Sequence, residues 1–491
     1  MLSLIIWLPL VFGLLSALAP KQFAARIAGT GAVATLGLVI AVLIGFDPDG
    51  GMQYVTDVTW ISGLGVDYSL GIDGISIFLV LLTAIAWVPA IFFSASRGDG
   101  GERSGLYFMM LLAGETATLG AFLAQDLLLF VLFFDLMIVP FYFLFGIWGK
   151  DRDGVTVSAA TLKMIVFTLI GSLLMLVGAI AAAVIAADGG QITFSMSEIA
   201  ARGMPSGSQN WIFWFFAAAF LVKMPLFPLH GWMPDAYRSA PLPALAVFSA
   251  VLSKVGAYGF LRVVLPIMPD ATELFQTTML ILGLAAIIYG SVMAFTKTDL
   301  RLILGFSSIA QLGFITAGIF ALNTSGAEGA LLQMVNHGLV VVPAFLIVAL
   351  IAERTGSEDI GGMGGLAKRA PVFAVIFLIV TMGTLAIPGS ANFIGEFFIL
   401  NGLFDHSVAI AMIASVGVAL SAFYALRMYQ HTMHNPLPEG ADSREISVRD
   451  GLIVVPMVLI IIVLAFCPQL VIHGSEPAVD STVAASVEAA Q

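Results

Sequence analysis

Five ionisable side chains interrupt stretches that are otherwise apolar. Lys223 lies in Trp211-Ile-Phe-Trp-Phe-Phe-Ala-Ala-Ala-Phe-Leu-Val-Lys223-Met-Pro225-Leu-Phe-Pro228-Leu-His230, and Asp135 in Leu132-Phe-Phe-Asp135-Leu-Met-Ile-Val-Pro140. Lys254 stands in Phe248-Ser-Ala-Val-Leu-Ser-Lys254-Val-Gly-Ala-Tyr-Gly and His337 in Met334-Val-Asn-His337-Gly-Leu. Glu396 ends the run Ile387-Pro388-Gly-Ser-Ala-Asn-Phe-Ile-Gly395-Glu396. An ammonium in hydrocarbon costs at least about 2.5 kcal/mol, so such charges persist mainly where they face a partner or a wet path. Pro225 and Pro228 each remove a helix hydrogen bond beside Lys223 and are expected to free the carbonyls of Leu221 and Met224; Pro388 should free that of Thr384. Unpaired backbone at membrane depth is tolerated only against protein or water. A buried lysine beside a broken helix therefore points to proton or ion conduction.

Each residue has a plainer reading. Asp135 is the natural counter-ion of Lys223, since opposite charge offsets the desolvation of both; the alternative is a static pair joining two helices. Lys254 lies about ten residues from either end of its span, farther than a lysine comfortably snorkels. His337 titrates nearest neutrality, but a helix histidine can equally be a packing residue. Glu396 follows the second break and is expected to serve a site there. Glu115 is deep in its span without a nameable partner, Lys163 lies near a span end where it can snorkel, and His230 sits at a helix end near Trp232. Arg262 reads as an interfacial anchor. No second histidine or cysteine stands at metal-ligand spacing from His337.

These residues need helices to hold them. The 491 residues are 59% hydrophobic and 10% charged, with a mean hydropathy of +1.02, whereas soluble domains carry about 25% charged residues. The chain reads as an all-α polytopic membrane protein, a single membrane domain over 1–491. A helix needs about 20 apolar residues to cross the bilayer. By that measure about fourteen spans are expected, at 2–19, 26–46, 74–95, 105–124, 126–148, 158–187, 211–231, 244–266, 273–294, 300–321, 326–352, 370–403, 405–429 and 451–472. Proline interrupts the seventh and the twelfth, and paired interruptions point to inverted repeats with an ion path between them. The expected repeats are 105–266 and 273–429, of five helices each.

With the N-terminus outside, fifteen lysines and arginines fall on inside connections, and only Arg202 and Arg262 lie on the outer side. That bias places both termini outside. In the loop 47–73, Tyr54-Val-Thr-Asp-Val-Thr-Trp60 alternates apolar and polar residues, predicting an outer-face hairpin kept soluble by Asp47, Asp49, Asp57, Asp67 and Asp73. The first segment lacks a basic n-region and a cleavage site and reads as a retained helix. The tail after Ile472 is assigned no function. The net charge of −11 says little about partners, and the single cysteine, Cys467, excludes a disulfide and Cys-rich iron–sulfur or zinc motifs. No Gly-rich nucleotide loop is present, and nothing points to nucleic acid.

Phe220-Leu-Val-Lys223-Met-Pro225-Leu-Phe-Pro228-Leu-His230-Gly-Trp232-Met-Pro234-Asp235-Ala236, followed by Lys254-Val-Gly-Ala-Tyr258-Gly, resembles the antiporter-like subunits of proton-pumping NADH:quinone oxidoreductase, complex I, over nearly the whole chain. Glutamate in Ser390-Ala-Asn392-Phe-Ile-Gly395-Glu396-Phe is similar to the M type (chain 4 in mitochondria) rather than to its L and N sisters or the Mrp antiporter subunits, which usually carry lysine there. The L type also usually has a long lateral helix that is lacking here. The resemblance implies that Asp135 and Lys223 form a switching pair, Lys254 and His337 relay protons, and Glu396 is the outlet. It implies L and N subunits as partners and a bacterial inner membrane rather than a mitochondrial one. NADH, FMN, iron–sulfur clusters and quinone would reside in other subunits, with no cofactor or metal in this chain. Two departures stand out: the family usually has glutamate at Asp135, and commonly histidine where Ser308-Ile-Ala-Gln311-Leu-Gly-Phe has Gln311. A Mrp-type antiporter or membrane-bound hydrogenase subunit, and a closed structural spacer, are the competing readings.

Overall fold

The computed structural model describes residues 1–437 and 442–489. Among them, eleven helices are long and apolar enough to cross a membrane, and Leu2–Leu18 and Pro371–Gly383 are shorter apolar helices. Three of the eleven, Leu242–Ile267, Leu300–Ile319 and Thr324–Thr355, are buried throughout their spanning window. These carry Lys254, Gln311 and His337. Peripheral helices such as Val408–Met433 and Val448–Phe466 leave apolar side chains exposed, Phe423 and Leu452 among them. Without a protein neighbour such a face suits lipid.

Side-chain caps mark where helices begin. Asp126 accepts from the Leu129 amide at 2.9 Å, Asp299 from Leu302 at 3.0 Å and Asn323 from Gly326 at 2.9 Å. The expected joint at 124–126 is therefore a capped break between Ser104–Leu123 and Leu127–Leu136. The expected span 126–148 is itself interrupted at Met137, dividing Leu127–Leu136 from Ile138–Trp148. Pro140 denies the Leu136 carbonyl its donor, which accounts for the interruption.

Gln53–Ile61 and Val66–Ile72 form the expected antiparallel hairpin, with Asp57 opposite Ser69 and Val58 opposite Tyr68. It is tied to the bundle where the Gln125 amide donates to the Ser69 carbonyl at 2.9 Å. Asp73 does not serve as a solubilising surface acid. It is buried, caps the helix Ser76–Arg97 through Ile75 and Ser76, and pairs with Arg262. The tail is also more ordered than its composition implies. Gln469–Ala489 is helical and packs against Thr324–Thr355, where Ser475 donates to the buried Glu328 at 2.6 Å.

At the end opposite the hairpin, Glu358 accepts from both Arg301 and Arg152, joining the two halves of the chain. Burial alone would raise the Glu358 carboxyl, but the hydrogen bonds and charges of Arg301 and Arg152 outweigh it and hold it below the usual carboxylate range.

Candidate functional site

The helix Ser206–Lys223 ends on its own charge. Pro225 does not leave the Leu221 carbonyl bare as expected, because the Leu226 amide reaches it at 2.9 Å in a wider turn. Trp232 Nε1 caps the Val222 carbonyl at 3.1 Å. The break is thus closed by protein on these two carbonyls. Lys223 Nζ donates to the Phe134 carbonyl at 3.2 Å and lies 4.6 Å from the centre of the Phe134 ring. The expected Asp135–Lys223 ion pair is not formed: no Asp135 oxygen comes within 4.0 Å of the ammonium, and Asp135 Oδ1 has no partner. The lysine has turned to the neighbouring residue's backbone, on the turn just before the interruption at Met137. A cavity of about 10 Å³ beside Lys223, between Met137, Thr168, Trp232 and Phe248, is close to the minimum that admits one water.

Lys254 is wholly buried and touches no carboxylate. Its Nζ lies 3.0 Å from His337 Nδ1 and 3.2 Å from both the Ser249 carbonyl and Ser253 Oγ. A π-helical turn over Phe248–Leu252 sits directly before it, and turns of this kind concentrate at functional sites. The lysine folds back onto the carbonyl five residues earlier, a backbone acceptor within that wide turn. Close packing holds the pair in place. A Cβ on Gly256 would stand 2.7 Å from the Phe220 carbonyl, and one on Gly338 would stand 3.0 Å from the Ala250 carbonyl. Glycine in Lys254-Val-Gly256 therefore lets this segment press against the broken helix.

Around Glu396 the side chains are amides. Gln333 Nε2 donates to Gln311 Oε1 at 2.5 Å, and Gln311 Nε2 donates to Glu396 Oε1 at 2.9 Å. The helix Ala391–His406 begins five residues before Glu396, beyond the interruption after Pro371–Gly383. A Cβ on Gly395 would meet Gln333 Oε1 at 2.4 Å, so the glycine before Glu396 makes room for the amide relay. Several buried polar atoms in this region have no protein partner: Glu396 Oε2, Gln333 Oε1, Asn336 Oδ1, both Asn392 polar atoms and Tyr424 Oη. Buried polar groups in folded proteins nearly always have a partner, with ordered water among the common ones.

The remaining expectations divide. Glu115 is buried with both oxygens unpartnered. Lys163 does not simply snorkel; it pairs with Asp235 at 2.8 Å. His230 is buried at its helix end, with Nε2 3.0 Å from Tyr289 Oη. Arg262 is not an exposed anchor, since its guanidinium is bound to Asp73 and Tyr258. Gln333, Asn336, Asn392 and Tyr424 carry no charge at neutral pH, so a pattern of intramembrane charges does not single them out. A search for any hydrogen-bonding side chain inside a span would have found them. Glu328, in the first turns of Thr324–Thr355, is buried as well. Among the described residues no three His, Cys, Asp or Glu side chains gather as a metal site.

The family described as NADH:quinone oxidoreductase/Mrp antiporter, transmembrane, matches residues 124–421. This stretch includes Asp135, Lys223, Lys254, His337 and Glu396 and both broken helices. The chain belongs to that family. Relatives include a protein named NADH-quinone oxidoreductase subunit M from Rhodobacter capsulatus, 36% identical over 98% of this chain and 95% of that one. A chain of the respiratory complex I of Thermus thermophilus superposes with a TM-score of 0.90 at 28% identity, covering 99% of both chains. The Mrp complex of a Dietzia species shares the fold, with a TM-score of 0.86 at 20% identity. The family's helical membrane architecture thus extends to this chain, and relatives from Rhodobacter capsulatus and Rickettsia typhi are bacterial.

Proposed function

We propose that this chain is the M-type proton-translocating subunit of the membrane arm of NADH:quinone oxidoreductase, moving protons outward in response to quinone reduction elsewhere. The single observation that carries the reading is the 3.0 Å contact between Lys254 Nζ and His337 Nδ1. The imidazole nitrogen accepts from an ammonium, or donates to an amine, so one proton can be shared between two carriers. Neither has a carboxylate to fix its charge. Lys223, held by a carbonyl and a ring, is free to exchange those partners for Asp135. Forming that pair would favour its charged form, and opening it would release a proton toward Lys254.

From His337 the proton passes to the region of Glu396. Glutamine cannot take up a proton, so Gln311 and Gln333 orient the carboxylate while water among the unpartnered polar atoms carries the charge. Segments 105–266 and 273–429 would be inverted repeats, each contributing one broken helix. NADH, FMN, iron–sulfur clusters and quinone would be held by partner subunits, and the L and N subunits would be neighbours in the arm. The chain would lie in a bacterial inner membrane with both termini and the hairpin outside, consistent with the lysine and arginine bias. The subunit M name carried by relatives such as that of Rhodobacter capsulatus, at 36% identity, favours this over a Mrp-type antiporter, whose likeness is one of fold.

The test is Lys223→Met and Asp135→Asn in the assembled complex reconstituted in liposomes. Both should lower the number of protons moved per NADH oxidised. Full stoichiometry in either variant would defeat the reading.

A further inference from the structure

Tyr258 and Arg262 follow Lys254 at four-residue intervals, so the three share one face of Leu242–Ile267. Between Lys254 and the hairpin end, that face carries a bonded assembly. Arg262 Nε donates to Tyr258 Oη at 3.2 Å, and a second guanidinium nitrogen pairs with Asp73. Tyr258 in turn donates to the Phe122 carbonyl at 3.0 Å. The other Asp73 oxygen accepts from the Ile75 and Ser76 amides at 3.2 and 3.1 Å and from Ser76 Oγ at 3.0 Å. The Arg262 and Asp73 side chains are only 13% and 8% exposed. A second π-helical turn, Phe260–Val264, carries Arg262.

The direction of these bonds decides what they can do. Arginine offers five donors, no acceptor and a permanent charge. The Tyr258 proton is committed to a backbone carbonyl, and its oxygen already accepts from Arg262. None of the bonds reaches Lys254, whose partners are Ser249, Ser253 and His337. A proton leaving Lys254 toward the hairpin would meet a fixed positive charge, and Asp73, Tyr258 and Arg262 offer it no unbonded acceptor, the arrangement by which an arginine excludes protons from a pore. The contrast with the Glu396 region is direct. There buried polar atoms lack protein partners, whereas no side-chain polar atom of Asp73, Tyr258 or Arg262 is buried without one.

We propose that Asp73, Arg262 and Tyr258 form a seal that closes the hairpin end of the Lys254 segment to protons, so that a proton on Lys254 leaves only sideways, through His337. These are positioning residues. The inference rests on the reading of Lys254 as a proton carrier, and its test separates the two.

The intact complex is placed in liposomes with an entrapped pH dye, and an acid jump is applied without NADH. Arg262→Met alone leaves Asp73 buried and unpaired, which can impair assembly, so the main variant is Asp73→Asn with Arg262→Met, which removes both charges together. The double variant should admit protons several-fold faster than wild type while oxidising NADH at the wild-type rate. Arg262→Lys, which keeps the charge, should stay tight. Adding Lys254→Met to the double variant should return the leak to the wild-type level. A double variant as tight as wild type overturns the seal, as does a leak that survives Lys254→Met. Full pumping in Lys223→Met would instead remove the underlying reading, an outcome independent of the leak.

Discussion

The two broken helices use one device to opposite ends. Ser206–Lys223 stops on a cation whose partners are a carbonyl and an aromatic face, with the nearest acid standing apart. Ala391–His406 begins after its break and carries an anion five residues in, held by a line of two amides. Breaking a helix in an apolar setting exposes backbone that needs new partners. In the first half Leu226 and Trp232 supply them, and the side chain is left with weak, exchangeable contacts. In the second half the charged side chain is fixed, and the surrounding polar atoms are the ones left open. The first site is built to change partners and the second to hold its charge in position among unpartnered polar atoms.

That difference can be broken most severely at Lys223. Lys223→Met removes the exchangeable charge and should abolish this subunit's share of pumping, read as protons moved per NADH oxidised. Glu396→Gln removes the proton-accepting carboxyl while keeping hydrogen-bonding capacity, and should lower pumping without abolishing it; pumping unaffected by it would favour a closed spacer. Gln311→Leu should be milder still for pumping. It strips Glu396 of its donor and leaves buried polar groups unsatisfied at about 1–3 kcal/mol, so the complex should unfold at lower temperature. Gln311→His restores a titratable donor and should retain both pumping and thermal stability. Equal losses in the leucine and histidine variants would show that orientation by a donor is not what Gln311 provides.

The smallest effect concerns Asp99, in the connection after Ser76–Arg97. Burial pushes its carboxyl up to about 6, despite a hydrogen bond from Ser94 and the charge of Arg97. In the unfolded chain it titrates near 3.9. The folded state therefore binds this proton more readily, and the associated stability is present below about 3.9 and lost as pH rises through about 6. Asp99→Asn should raise the unfolding temperature slightly at pH 7.5, with the gain shrinking toward pH 5. A gain that grew on acidification would contradict that assignment.

Much of the architecture was legible in the chain. Apolar runs of spanning length, the hairpin alternation at Tyr54–Trp60 and the interruptions at Pro225 and Pro388 all act through neighbours in sequence. The interruption at Met137 was legible too, through Pro140, but the short run around it hid the consequence. Less visible were side chains whose value depends on a distant helix. Gln311 stood out only as a departure from a motif, and its bonds to Gln333 and Glu396 needed three helices in register. Arg262 lay near a span end, where an anchor is the simplest reading. Only the approach of Asp73, 189 residues away, makes it a buried ion pair.

The sequence alone determined that charge would be kept inside the bilayer at Lys223, Lys254, His337 and Glu396, because the cost of burying an ion attaches to that residue and its apolar neighbours. The tertiary structure decided who answers each charge: a carbonyl rather than Asp135 for Lys223, an imidazole for Lys254, an amide for Glu396, a carboxylate for Arg262. Such pairing depends on distances of about 3 Å between helices remote in the chain, and local pattern carries no information at that scale.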